Sequence, residues 1–396
     1  MDNVIYLDNN ATTRVDAEVF VAMQPFFCER YGNPSSIHRF GGSVAADIEK
    51  ARCRVADLLG ASFRDKDGIA TEIIFTSCGT EGDNAAINAA LNAKPERKKI
   101  VTTCVEHPGI LAYCKELSRR GYEVAYAPVD GRGRLDMEFM KKEVDENTAI
   151  VTVMWANNET GTIFPIAELV GLAHEKGALF HTDAVQAAGK VQIDVDGLDI
   201  DFLSISGHKL HAPKGVGALF VRRGLRFRPL IFGGHQERSR RAGTENVTSI
   251  IGLGKACELA QAYLPAERLQ LAELRDRLEK GVLERIPNVR INGDIENRLP
   301  NTASISFEYI EGESILMLLD RLNICASSGS ACTTGSLEPS HVLRAMGLPY
   351  TAAHGTIRFS LSRFNTAAEI DKVIEALPPI IAQLREISPY WQERGK

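Results

Sequence analysis

The sequence predicts an α/β protein: a large domain on a mainly parallel sheet, joined to a smaller α+β domain. Three observations carry this. From residue 72 onward, short β-rich runs alternate with helical stretches, the pattern of strand–helix–strand units. The strand runs are nearly continuous in apolar residues, as expected for strands buried on both faces. The chain has 396 residues, which at roughly 100–200 residues per domain implies two domains.

Taken in order, residues 1–40 mix short apolar pieces with Asn, Thr, Pro and Gly, which predicts irregular structure and one short helix near 16–27. Val44, Ile48, Val55, Leu58 and Leu59 recur at helical spacing, so Ser43–Leu59 reads as an amphipathic helix with Ser43 as N-cap. Strands are predicted at 72–76, 99–103, 123–127, 149–155, 178–182, 201–206 and 217–221, with helices at 80–93, 107–120, 136–145 and 165–176. The stretch 245–285 is helical with a break expected at Pro265, and it could connect the domains. Beyond it, strands near 302–307, 322–325 and 356–361 mix with helices near 312–320, 339–346 and 366–385. The large domain is therefore expected over 16–260. The small one takes 1–15 and 261–396 and carries a polar loop at 326–340.

Composition excludes several classes. Hydrophobic residues are 44% and charged residues 24%, which rules out a disordered or fibrous chain. The net charge of −5 lacks the basic excess of a nucleic-acid binder. No apolar run approaches the ~20 residues of a membrane helix, so no membrane partner is expected. MDNVIYLDNN has neither the basic nor the apolar part of an export signal, and a cytoplasmic protein is expected. Eight cysteines without a C-x-x-C pair then read as free thiols, most of them buried.

Open α/β sheets bind ligands beyond the carboxyl ends of their strands. Ser77-Cys78-Gly79-Thr80-Glu81 follows the first strand and opens a helix, an arrangement suited to a phosphate. A plain capping box, Thr80 as N-cap with Asp83 at N3, is the alternative. His107 follows the next strand and reads as a loop or cap residue, a ring that stacks on a ligand, or half of a metal site with Cys104. Asn157-Asn158 suits a turn or an amide contact to a ligand. Asp183 lies between apolar segments, and a buried carboxylate needs a cation, from an arginine or a ring nitrogen. Lys209, after Ser206-Gly207-His208, is placed as a Schiff-base lysine would be. Together these features describe a pyridoxal 5'-phosphate site. Cys332 sits in the small, polar segment ASSGSACTTGSLEPS, which suits an accessible nucleophile, whereas Cys325 ends an apolar run and reads as core.

With YLDNNATT, NPSSIH, FTSCGTEGDN, EHPGI, NNETG, HTDAVQAAGK, SISGHKLHAPKGVGAL, GGHQERSRRAGTEN, SSGSACTTGSLEPSHVLRAMG and HGTIRFSLSRFN, the sequence resembles the cysteine desulfurases over residues 6–365. These are pyridoxal-phosphate enzymes of the aspartate-aminotransferase-like fold type I, and MWANNETG and PSHVLRAMG resemble their nitrogen-fixation branch. The resemblance implies conversion of L-cysteine to L-alanine, with Lys209, His107 and Cys332 catalytic and Cys332 carrying the sulfur as a persulfide. It implies that Asp183 pairs with the ring nitrogen, His107 stacks on the ring and Gln186 bonds its hydroxyl. Gly79, Thr80, Ser206 and His208 would hold the phosphate, with Gly207 beside them. Thr244 would reach the phosphate of a second subunit in a homodimer. Asn158 and Arg358 would take the substrate carboxylate, the latter through its bidentate fork. An iron–sulfur scaffold protein would accept the sulfur, and Cys332 would transiently ligate its cluster. A selenocysteine lyase or an aminotransferase of the same fold is the competing reading. A thiol protein that binds metal or clusters without catalysis is a third. Cys78-Gly79 departs from the Gly-Ala of many relatives and leaves a thiol near the phosphate loop.

Overall fold

Seven strands rich in Ile, Val, Thr and Phe form the larger sheet, because β-branched side chains pack well on a pleated, buried surface. They are β2 (Ile73–Thr76), β3 (Lys99–Thr103), β4 (Glu123–Ala127), β5 (Thr148–Thr152), β6 (Leu179–Asp183), β7 (Phe202–Ser206) and β8 (Gly217–Val221), in the order β2-β8-β7-β6-β5-β3-β4. The four pairings from β7 to β4 are parallel, and β8 runs antiparallel to both its neighbours. The computed structural model describes residues 4–328 and 339–393. Every strand of this sheet except β4 is buried throughout, as the unbroken apolar runs predict. The run predicted at 149–155 is a regular strand only to Thr152, yet it keeps bonding to β6: Val153 N donates to His181 O (3.1 Å) and Trp155 N to Asp183 O (2.8 Å).

A second sheet has the order β12-β13-β10-β9, from β9 (Val289–Asn292), β10 (Thr302–Phe307), β12 (Ser327–Ser328) and β13 (Thr356–Ser360). Beside it β1 (Ile5–Tyr6) pairs in parallel with β11 (Ile324–Cys325). The helices Gly312–Asp320 and Ala367–Ile387 contribute Ile315, Leu319, Ile370, Val373 and Leu377 to its core.

One 39-residue helix, Val247–Arg285, enters both cores. Ile250, Leu253 and Cys257 pack in the core of the large sheet, and Leu271, Leu278 and Val282 in that of the small one. The break expected at Pro265 does not occur. Proline removes one hydrogen bond, to residue 261, but Gln261 is exposed and water can serve its carbonyl, while packed segments hold both flanks. Residues 9–13 stitch the two parts: Asn9 N donates to Ser360 O (3.1 Å) and Thr13 N to His208 O (2.9 Å).

Other expectations change. The helix predicted from Ser43 spans Arg39–Leu59, and its N-cap is His38, whose ring accepts from Gly41 N (3.1 Å). Gly41 allows this early start: a Cβ there would stand 2.4 Å from Asn33 O. Of the seven described cysteines only Cys114 and Cys257 are buried; Cys28, Cys78, Cys104 and Cys325 lie at helix ends or near sheet rims, and Cys53 sits on the partly exposed side of the Arg39–Leu59 helix. Cys325 is half-buried rather than core, since its strand has two residues and lies at the edge beside Tyr6. No helix among the described residues is long and apolar enough to cross a membrane.

Candidate active site

The carboxyl ends of β2, β3, β6 and β7 open on a cavity of about 310 Å³. Gly79, Thr80, His107, Asn158, Asp183, Gln186, Ser206, His208, Lys209 and Arg358 all line it. Gly207 and Thr244 do not; Gly207 is buried and Thr244 is exposed. Cys332 lies outside the described residues.

At one end the Gly79–Ala93 helix starts with Cys78 as N-cap and no side-chain cap bond. The capping box on Thr80 is absent: Thr80 is already inside the helix and Asp83 is turned inward, 1% exposed. The free N–H groups of the first turn therefore point at the cavity and favour an anion. Gly79 has to be glycine, since a Cβ would meet Val185 Cγ2 at 2.6 Å. Ser206 is buried beside this end. His208 bonds Thr12 Oγ1 (3.2 Å), and burial, with the Lys209 charge second, pushes it down to about 4, so it is neutral.

Asp183 closes β6, and one of its oxygens accepts from Val185 N (2.9 Å). Burial raises its pKa, against the pull of His107 and Lys209. Lys209 ends a single 3₁₀ turn after β7 and donates to Asn10 O and to Ala11 O (2.7 Å). His107 acts as the cap of the Pro108–Arg119 helix, its Nδ1 accepting from Gly109 N (3.1 Å). Burial lowers its pKa, with Asp183 pulling the other way. Gln186 donates to Asn10 O (3.0 Å), and its buried Oε1 has no partner.

At the opposite end, Arg358 on β13 donates to Asn158 O (3.0 Å) and pairs with Asp8 (3.0 Å). Its buried Nε is unpartnered, and the residue lines the cavity.

Several residues of this site lacked a role in the sequence reading. Asn10 and Ala11 supply the carbonyls under Lys209, and Asp8 holds Arg358. The polar run DNNATT after a short strand was the available signal. Among the described residues, no cluster of three or more His, Cys, Asp or Glu side chains could hold a metal, so Cys104 and His107 do not extend into one.

Residues 5–373 match the family described as Aminotransferase class-V. The chain is 60% identical over 391 residues to the cysteine desulfurase NifS of Azotobacter vinelandii, covering 99% of this chain and 96% of that one. It is 58% identical over 393 residues to a cysteine desulfurase of Trichormus azollae, with coverage of 99% and 96%. Among solved structures, a NifS-like protein superposes with a TM-score of 0.89 at 39% identity, covering 96% of this chain and all of that one. A structure described as SspA in complex with cysteine gives 0.80 at 34% identity, covering 91% and 100%.

Proposed function

The chain belongs to the aminotransferase class-V family, has its fold type I architecture and is a cysteine desulfurase; from that premise we propose which of its residues do the work and with what cofactor. The substrate is L-cysteine and the products are L-alanine and a sulfur atom carried by the protein.

The cavity fits pyridoxal 5'-phosphate. A helix start with uncapped N–H groups faces Ser206 and His208 for the phosphate, a buried carboxylate waits for a ring N–H, and the orphaned Gln186 Oε1 waits for a polar partner. When bound, the cofactor supplies an electrophilic carbonyl and an electron sink. Asp183 holds the proton at the ring nitrogen and Lys209 anchors the group. Gly207 acts indirectly, by turning the chain between Ser206 and His208. His107 covers the ring as a neutral imidazole. Arg358 and Asn158 orient the substrate carboxylate, for which the substrate must compete with Asp8. Once free, the Lys209 amine takes the Cα proton. Cys332 receives the sulfur as a persulfide.

Further parts of this reading rest on the family. The chain works as a homodimer in which Thr244, exposed on this subunit, reaches the second site. The large and small domains divide at 16–260 against 1–15 and 261–396; the cluster of Ile5, Leu7, Leu278 and Phe359 supports this division, while Val342, Leu343 and Met346 pack into the core of the large sheet. The acceptor is an iron–sulfur scaffold protein, whose cluster Cys332 transiently ligates, and nitrogenase maturation is the use that the similarity to NifS supports. A reducing cytoplasm suits a persulfide carrier with seven described free thiols.

The observation that carries the assignment is that Asp183 and Lys209, on adjacent strand ends, share one cavity with an uncapped helix N-terminus. An absorption spectrum of the purified protein, before and after L-cysteine, tests it together with alanine and sulfide release. A cofactor band that responds to cysteine without sulfide would favour transamination. Activity on selenocysteine alone would favour the lyase.

A further inference from the structure

In the cavity floor, between the Gly79–Ala93 helix and strands β6 and β7, sits a buried polar group that the reaction above does not use, with Asp83 at the cavity lining. Asp83 is 1% exposed, and its Oδ1 has no hydrogen-bond partner. His181 Nε2 lies 3.6 Å from that oxygen. The buried His181 bonds Ser204 Oγ through Nε2 (3.0 Å) and Thr152 Oγ1 through Nδ1 (2.8 Å). His181 and Asp183 are two residues apart on β6, so their side chains share a face, and Ser204 is the register partner of Asp183. Gly82 lets the helix come this close: a Cβ there would stand 2.8 Å from Ser204 Oγ. Glu106 is also fully buried, accepting from Thr103 Oγ1 (2.8 Å) and Met154 N (3.0 Å).

The ionisable groups facing Asp83 are Asp183 and His181 from β6, Glu106 from the loop after β3, and Cys78 at the start of its own helix. Among the described residues no lysine or arginine forms an ion pair with Asp83 or Glu106. Three ionised carboxylates without matching cations would be prohibitive in a dry site. Burial, then the charge of Asp183, pushes the Asp83 carboxyl well above its usual range. Burial pushes Glu106 up to about 8 and His181 down to about 3, so His181 brings no positive charge. Asp183 alone of the three is drawn back toward ionisation by both His107 and Lys209.

We infer that Asp83 and Glu106 are positioning residues that stand as neutral acids behind Asp183, leaving it the single anion beneath the cofactor ring. His181, bonded to Thr152 on one side and Ser204 on the other and 3.6 Å from Asp83, fixes where the protons of this floor sit. A second negative charge would raise the proton affinity of every group there, the ring nitrogen included. This deepens the pyridoxal-phosphate reading and rests on it.

The test uses Asp83→Asn, which keeps shape and neutrality, and Asp83→Leu, which keeps neutrality but loses the polar contacts. An infrared difference spectrum of cofactor-free protein, wild type against Asp83→Asn at neutral pH, should show the band of a protonated carboxyl. A carboxylate band in its place overturns the inference. That readout needs no cofactor, so it stays separate from failure of the cofactor reading, which a missing visible absorption band would report. In the loaded enzyme, Asp83→Asn should leave the pH midpoint of that band within about 0.3 of wild type and kcat within about threefold. Asp83→Leu should lower kcat by about tenfold through the floor it disorders. A midpoint shift of about one unit or more in Asp83→Asn, or equal losses in both variants, overturns the inference. Should Asp83→Asn fail to fold, Glu106→Gln carries the same infrared and titration criteria.

Discussion

Arg52→Met tests what holds the segment 235–245, which carries Thr244. Arg52 and Glu237 form a two-pronged pair at 2.6 and 2.9 Å, with side chains only 3% and 4% exposed. Glu237 also accepts from Phe75 N (3.0 Å), and Arg52 donates to Ile73 O (3.0 Å). Glu237, Arg238 and Ser239 all have left-handed φ angles, 48°, 57° and 62°. At roughly 1–2 kcal/mol for each non-glycine residue, the backbone stores about 3–6 kcal/mol there. Removing one partner of a buried pair costs about 3–5 kcal/mol, because the other charge stays buried alone. The two figures are comparable, so the segment should open before the rest of the fold. We expect urea denaturation to show a loss of about 3 kcal/mol. Amide exchange over 235–245 should rise about tenfold while β6 and β7 stay protected. The double variant Arg52→Met with Glu237→Leu should recover at least half the loss, since the buried Glu237 charge is gone and Glu49, the other partner of Arg52 (3.0 Å), is 29% exposed to water. A loss below about 1 kcal/mol, or a double variant no better than the single, would refute this account.

Three further outcomes follow from the site and its surroundings. Lys209→Ala should abolish turnover, and borohydride reduction with peptide mapping of the wild type should label Lys209; label on Lys190 or Lys214 would sink the assignment. Cys332→Ala should bind cofactor and cysteine yet pass no sulfur to an acceptor, whereas Cys325→Ala should stay active and lose about 1 kcal/mol or less of stability. A persulfide found by mass spectrometry on the Cys325 peptide after one turnover would reverse those roles. Burial pushes His208 and His211 down to about 4 and His181 to about 3, so the native state keeps them neutral while the unfolded chain binds protons below about 6.5. Stability should therefore be full above about 6.5 and fall as the pH drops toward 4, with His211→Gln flattening that fall in urea titrations. An unchanged slope would count against a neutral His211.

The strands and most of the cavity residues were legible because functional side chains such as Asp183, Ser206 and Lys209 end or follow a strand run that has nowhere to go but the sheet. Asp183 and Lys209 are cases where local sequence and topology agree. The helix boundaries at Ser43 and Pro265 were less legible, since tertiary contacts decided them: Asn33 O against Gly41 in one case, two cores gripping one helix in the other. Asp83 read as a capping residue because its pairing with His181 joins a helix to a strand nearly 100 residues on. The carbonyls of Asn10 and Ala11 were harder to read for a plainer reason: any residue type offers a backbone oxygen, so DNNATT marks a polar turn without marking which oxygen holds a lysine.

The pairing of β1 with β11 sets a timetable for the nascent chain. Ile5 is made early, but its partner Ile324 follows 319 residues later. At about 5–20 residues per second that delay is roughly 15–65 s. All seven strands of the large sheet leave the ribosome within it. Asn9 and Asn10 wait longer still, for Ser360. Lys209 thus emerges just before β8 completes the large sheet, and Thr13 can then bond His208 O while Asn9 and Asn10 still lack Ser360. During that interval the cavity lacks the wall that Arg358 on β13 later supplies.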